Sequence, residues 1–116
     1  MIINGVELPD LDLAELEVAE QFEAALNVCA DKVSRLEKER VSRVSFIRES
    51  CEAVFEVFET LFGAGTAKKV FGEHTNLIVC NTALTELVDA SKEIDSRNAK
   101  LTAELFEKYS PERAKR

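Results

Sequence analysis

At 116 residues and 46% apolar content, the chain is sized for one domain with a core of its own. Fifteen Lys and Arg against 22 Asp and Glu leave a net charge of −7, which argues against a general binder of nucleic acid or of an anionic membrane. No apolar run reaches the length of a membrane span, and the start lacks the basic residues and apolar stretch of a signal peptide, so the expected location is the cytoplasm.

The first eight residues, MIINGVEL, alternate apolar and polar around Asn4-Gly5, the strongest short hairpin signal. Strands this short are marginal alone, so the segment is expected to pair with a neighbouring subunit, pack as an arm or remain an extended leader. Pro9 and Asp10 end it. Asp12 with Glu15 then resembles a capping box, and no Gly or Pro interrupts the chain from there to Phe62.

Apolar residues in this stretch recur by threes and fours at Leu16, Ala19, Phe22, Leu26, Cys29, Val33 and Leu36. The seam resumes at Ile47, Cys51, Val54, Phe58 and Leu61, with Val44 and Phe55 beside it. Between the two runs lies EKERVSR, Glu37 to Arg43, with one apolar residue in seven and Arg40 where a core residue is due. One unbroken helix here would be about 75 Å long, whereas a compact domain of this size has a radius of gyration of about 13 Å. The preferred reading is a bend or break near residues 40–45, giving two antiparallel helices; one long helix covered by other subunits is the alternative.

From Phe58 to Cys80 the pattern changes to FETLFGAGTAKKVFGEHTNLIVC. Gly63 follows the apolar pair Leu61 and Phe62 where a helix needs a residue tolerant of positive φ. Gly65 adds a second permissive position, and Thr66 is placed to cap a short helix carrying Lys68, Lys69, Val70 and Phe71 over 66–71. Gly72 stops that helix, and Thr75 or Asn76 caps the next, which opens with Leu77, Ile78 and Cys80. The reading is a glycine corner around one apolar cluster.

The last helix, 76–109, repeats more cleanly: Leu77, Cys80, Leu84, Leu87, Ser91, Ile94, Asn98, Leu101 and Leu105. Ser91 and Asn98 either fix register in the seam or mark where the helix leaves the core. Ser110-Pro111 ends it, and 110–116 reads as a frayed basic tail. Overall the fold class is all-α: long heptad-patterned helices joined by a Gly-rich corner with one short helix, preceded by a short hairpin or arm.

Charge is laid out in blocks. Residues 1–31 hold eight acidic groups and no basic one, residues 32–48 hold six basic and two acidic, and Glu49, Glu52, Glu56 and Glu59 follow. Such blocks can match acidic to basic surfaces between subunits.

Reactive chemistry is absent from the pattern. Cys29, Cys51 and Cys80 each fall on an apolar side, which reads as three reduced core thiols. His74, the one histidine, reads as a solvent-facing turn residue, and no ligand set of zinc spacing accompanies it. GAGTAKK lacks the spacing of a phosphate-binding loop and follows a helix instead of a strand. A weaker reading has the amides of Gly65 to Lys69 hold an anion. The phenylalanines at helical spacing read as core, with any surplus marking an interface. No catalytic, cofactor-binding or metal residue is expected, and the chain is read as no enzyme.

The corner, F-x-x-L-F-G-A-G-T-A-K-K-V-F-G-E-H-T-N-L-I-V-C, resembles that of small helical proteins encoded by phages and prophages of Gram-positive bacteria. INGVEL followed by an acidic helix resembles them too. The resemblance implies an origin in the tail module, beside the tape-measure gene, and a role similar to that of tail assembly chaperones, which coat the tape-measure protein until tail-tube protein replaces them. It implies a homo-oligomer in the host cytoplasm with a tape-measure or other tail protein as partner, and neither nucleic acid nor membrane. Its contacts are expected from Phe58, Leu61, Phe62, Gly63, Gly65, Thr66, Lys68, Lys69, Phe71, Gly72, Asn76 and Leu77, with the seams beside them. The alternative is a phage-encoded inhibitor that sequesters a host defence protein through the acidic surface from Glu7 to Glu23. A small-ligand sensor built on the glycine turn is a third.

Overall fold

The computed structural model describes residues 1–108; Tyr109, the helix stop at Ser110-Pro111 and the basic tail of 110–116 lie outside them. The chain is all-α apart from a minimal hairpin: β1 (Ile2–Ile3), β2 (Val6–Glu7), α1 (Leu16–Glu39), α2 (Arg43–Phe62), α3 (Thr66–Phe71) and α4 (Leu77–Lys108). α2 is the hub, packing on α1, α3 and α4.

The hairpin is antiparallel, Ile2 facing Glu7 and Ile3 facing Val6. Asn4 and Gly5 supply its turn with φ of 51° and 76°, the pair of positive values that a two-residue turn between twisted strands demands. It is no free arm. Ile3 and Leu8 are buried, the Asn4 side-chain amide donates to the Val70 carbonyl at 2.8 Å, and the Asn4 backbone amide donates to Glu86 Oε1 at 3.1 Å. Those contacts fasten two marginal strands to α3 and α4, where their apolar face completes the core.

α1 begins at Leu16, later than the capping-box reading had it. Residues 12–15 form a turn in which the Glu15 amide donates to the Asp12 carbonyl at 3.1 Å, and Glu15 stands at the N-cap position with no side-chain cap bond. Leu16, expected in the seam, is 71% exposed. The half-buried Leu11 and Leu13 pack on the core ahead of it, so the chain reaches the helix with its apolar contacts already made. Phe22, Cys29 and Leu36 are buried as the seam requires.

The two long helices separate at residues 40–42, inside the region where the seam lapses. Arg40 takes a left-handed conformation, φ 51° and ψ 48°, and its amide donates to the Glu37 carbonyl at 3.4 Å. Ser42 then accepts at its side chain from the Ser45 amide at 3.2 Å, capping α2. A break without glycine or proline is thus made by an arginine in the conformation that usually selects glycine.

Phe58, Cys51, Val54, Cys80, Ala83 and Leu87 are all but fully buried where α2 meets α4. Phe58 stacks on Phe62 at 6.1 Å between ring centroids and meets Phe71 edge-on at 5.4 Å, while Phe55 lies 5.0 Å from Phe71. Aromatic pairs at these separations add to the area they bury. Ser91 is buried too and donates to the Val88 carbonyl of its own helix at 2.6 Å, so the seam's first polar position is satisfied inside the core.

The molecule is long for its mass. Its radius of gyration is 18.1 Å and its extents are 65 × 31 × 21 Å, against about 13 Å for a compact domain of 100 residues. At 32 residues α4 alone is about 48 Å long, and its last part, residues 99–108, is exposed on every side.

Candidate binding surfaces

The glycine corner is a brace. Of the residues expected to make contacts, Phe58, Thr66 and Phe71 are buried in the chain's own core, and Leu61, Phe62 and Leu77 are half-buried against it. Gly63, Gly65, Lys68, Lys69, Gly72 and Asn76 are exposed. Gly63, Gly65 and Gly72 have φ of 102°, 90° and 66°, so the turns use backbone conformations that side chains disfavour. Asn76 caps α4, accepting from the Val79 amide at 3.0 Å.

Thr66 does not cap α3. Its hydroxyl donates back to the Gly63 carbonyl at 2.8 Å, and the orphan amides at the start of α3 are taken by Glu59, one turn before the end of α2. Glu59 Oε2 accepts from the Ala67 amide and Oε1 from the Gly65 amide, both at 3.0 Å. Those donors hold the Glu59 carboxyl below the usual glutamate range, the Ala67 amide most. The anion expected of the Gly65–Lys69 turn is therefore the chain's own carboxylate. Lys68 pairs with Glu73 at 3.3 Å.

A different surface is open. Between α1 and α2 runs an apolar groove of about 230 Å³, with buried Cys29, Ala53 and Val57 and half-buried Ala25 at its base, and lined further by Ala24, Val28, Gln21, Lys32, Glu56 and Thr60. Three alanines make it: where two packed helices both present small side chains, their surfaces stand apart and leave a channel. Val28 on its edge is 62% exposed. At one end the Gln21 side-chain amide donates to the Thr60 carbonyl at 3.3 Å. The volume is below the range of about 300–1,000 Å³ typical of small-molecule sites, and it suits one or two apolar side chains projecting from another helix. Sequence reasoning missed the groove because Ala24, Ala25 and Ala53 lie beside the seams rather than on them, and a small side chain there does not show whether the facing helix fills the space.

The second uncovered surface is the end of α4. Leu101, Leu105 and Phe106 are 56%, 47% and 66% exposed, although the first two continue the stripe that buries Cys80, Leu87 and Ile94. Ile78, expected in the corner cluster, also faces out at 71% exposure.

Charge follows the hairpin of helices. The α1–α2 turn carries exposed Lys38, Arg40 and Arg43 together with exposed Glu37 and Glu39, and the start of α1 carries exposed Glu17, Glu20 and Glu23. His74 is exposed in the α3–α4 turn. Cys29, Cys51 and Cys80 are free and buried. Burial pushes the Cys80 thiol up to about 12, with the neighbouring Cys51 thiol adding to the rise, and burial pushes Cys29 up as well. Among the described residues no group of three His, Cys, Asp or Glu side chains is placed to hold a metal ion, and no helix is long and apolar enough to cross a membrane.

No curated protein and no solved structure matches the chain. One family model does, over residues 4–116, from the first residue of the hairpin turn onward. A match of that extent places the chain in the family of unknown function DUF6673.

Proposed function

We propose that this protein is a non-enzymatic, self-associating component of a phage tail module that binds a helical client, and that the client is the tape-measure protein, which it shields in the host cytoplasm during tail assembly. One observation carries the binding part: the α1–α2 groove is open, apolar and of a size for side chains of a docked helix. The resemblance of the Phe58 to Cys80 corner supplies the client's identity. A protein that holds a long helix needs repeated apolar seats and no reactive group, and the buried, unreactive thiols agree with that economy.

The test is a titration with a phage tape-measure protein, the client this reading names. Val28→Glu puts a charge on the groove edge at an exposed position, so helicity and thermal midpoint should hold while affinity falls at least about tenfold. Equal affinity of Val28→Glu and wild type would contradict the reading.

A second reading is supported by the exposed acidic run Glu15, Glu17, Glu20 and Glu23: an inhibitor that sequesters a basic host protein. It expects salt-sensitive binding that weakens when these four are changed to Gln. Binding indifferent to both salt and substitution would remove it.

A further inference from the structure

The α1–α2 turn is made without a turn residue. From Asp12 to Phe62 the chain holds no glycine or proline, and residues 40–42 reverse its direction through one left-handed arginine, φ 51° and ψ 48°. Arginine is among the better helix formers and is disfavoured in that conformation. The turn is therefore held in place by the packing of α1 on α2. If it straightened, residues 16–62 would run on as one helix of roughly 70 Å. Arg40 would return to a right-handed conformation, and the amides that start α2 would find carbonyls in α1.

A straightened chain must recover the lost contact from another molecule. α1 packs on α2 and makes no comparable contact with another helix among the described residues, so its buried Phe22, Cys29 and Leu36 would lose their cover. The hairpin leaves with it. Residues 8–15 span at most about 30 Å, whereas the start of α1 would move by roughly 70 Å, so buried Ile3 and the bonds from Asn4 to Val70 and Glu86 would part as well. The surface that fits this segment residue for residue is the α2–α3–α4 body of a second copy, since both sides of the contact already exist in one chain.

We propose that residues 40–42 are a hinge for exchange: two copies open there and swap the segment up to Glu39, so that α1 and the hairpin of each pack on α2, α3 and α4 of the other. Only the hinge differs from the single molecule, and a short hinge in a disfavoured conformation invites this exchange. The freedom lost on association opposes it, so the pair is favoured by concentration. α1 must leave α2 before it can swap, so the two forms interconvert slowly. Each α1–α2 groove of the pair then has one wall from each copy, and one two-fold rod carries two grooves. The inference rests on the self-associating part of the proposed function, gives it a mechanism and requires no client.

The experiment refolds the full chain from urea, without client, at low and at high protein concentration, and measures mass by size-exclusion chromatography with light scattering. Wild type is expected to give monomer when dilute and a dimer fraction when concentrated. Ser42→Ala removes a cap that only the closed turn uses and should raise the association constant at least about tenfold over the two chains. Arg40→Gly eases the turn and weakens the long helix, and should lower it by a similar factor. Exchange is read directly at Gln21 and Thr60, exposed residues joined by the Gln21 side-chain amide in the single molecule. Chains carrying Gln21→Cys and chains carrying Thr60→Cys are mixed in urea, refolded together and treated with a short bismaleimide, to which the buried native thiols are slow to react. The dimer should then hold bridges from position 21 of one chain to position 60 of the other. Wild type monomeric at every concentration, a dimer indifferent to both hinge substitutions, or a dimer without that bridge would overturn the proposal. The groove is present in both forms, so a failed Val28→Glu titration removes the client reading and leaves the exchange standing.

Discussion

Glu59 does at the corner what a threonine was expected to do. Its carboxylate closes the start of α3 through the Gly65 and Ala67 amides, joining the last turn of α2 to the next helix across the glycines. Because those bonds favour the charged form, its folded pKa lies below the unfolded value of about 4.3. Stability from this group is therefore fully present above that value and is lost as the pH falls through the lowered folded one. Glu59→Gln should reduce the urea midpoint at neutral pH and flatten its fall in acid; an unchanged acid limb would place the effect elsewhere. Cys80 sets the opposite limb. Its thiol stays protonated in the fold up to about 12, whereas the unfolded chain ionises near 8.5, so stability should decline as the pH rises above about 8.5. The same burial leaves all three thiols slow to alkylate until the chain opens. At the centre, Phe58→Ala empties a fully buried site against two other rings and should cost about 3–5 kcal/mol in urea unfolding.

At the scale of elements, the α1–α2 turn rests on a residue in an unfavourable conformation. Arg40 pays the left-handed penalty for a non-glycine residue, on the order of 1 kcal/mol, partly offset by the smaller unfolded freedom of arginine. Arg40→Gly should raise stability by up to about 1 kcal/mol, read from the urea midpoint, with no change in helical content; a fall would mean that the arginine makes a contact the turn depends on. This turn shows what the sequence could and could not tell. Interruption of the apolar seam between Leu36 and Ile47 located the break, since periodicity reports which residues face the core. It could not show how the break is made, because any residue can take left-handed φ at some expense. The hairpin was legible from Asn4-Gly5 alone, where turn chemistry is local. Its docking was not: the Asn4 bond to Val70 joins residues far apart in the chain. Likewise the corner's glycines marked the turns, but the cap came from Glu59 on the preceding helix. Phe58 and Phe71 were noticed for their hydrophobicity, which core and interface share, and only packing separates the two. The groove was hidden because it is made by what its alanines lack.

At the scale of the whole molecule, an extent of 65 Å in a chain of 116 residues means that folding leaves apolar surface uncovered. Among the described residues that surface includes the α1–α2 groove and the end of α4, with Leu16, Val44 and Ile78 exposed singly elsewhere, while most of the apolar residues of the glycine corner pack into the core. On the proposed reading the corner braces the fold and the helical flanks do the binding. The exposed acidic run Glu15, Glu17, Glu20 and Glu23 should make association salt-sensitive, and raising salt should slow client capture more than it speeds release. The most direct test of this division is amide hydrogen exchange on the protein alone and mixed with tape-measure protein. Slowed exchange is expected in residues 21–32 and 53–60, which line the groove, with the corner of residues 63–76 unchanged. Protection confined to the corner, or no protection by the client anywhere, would contradict it.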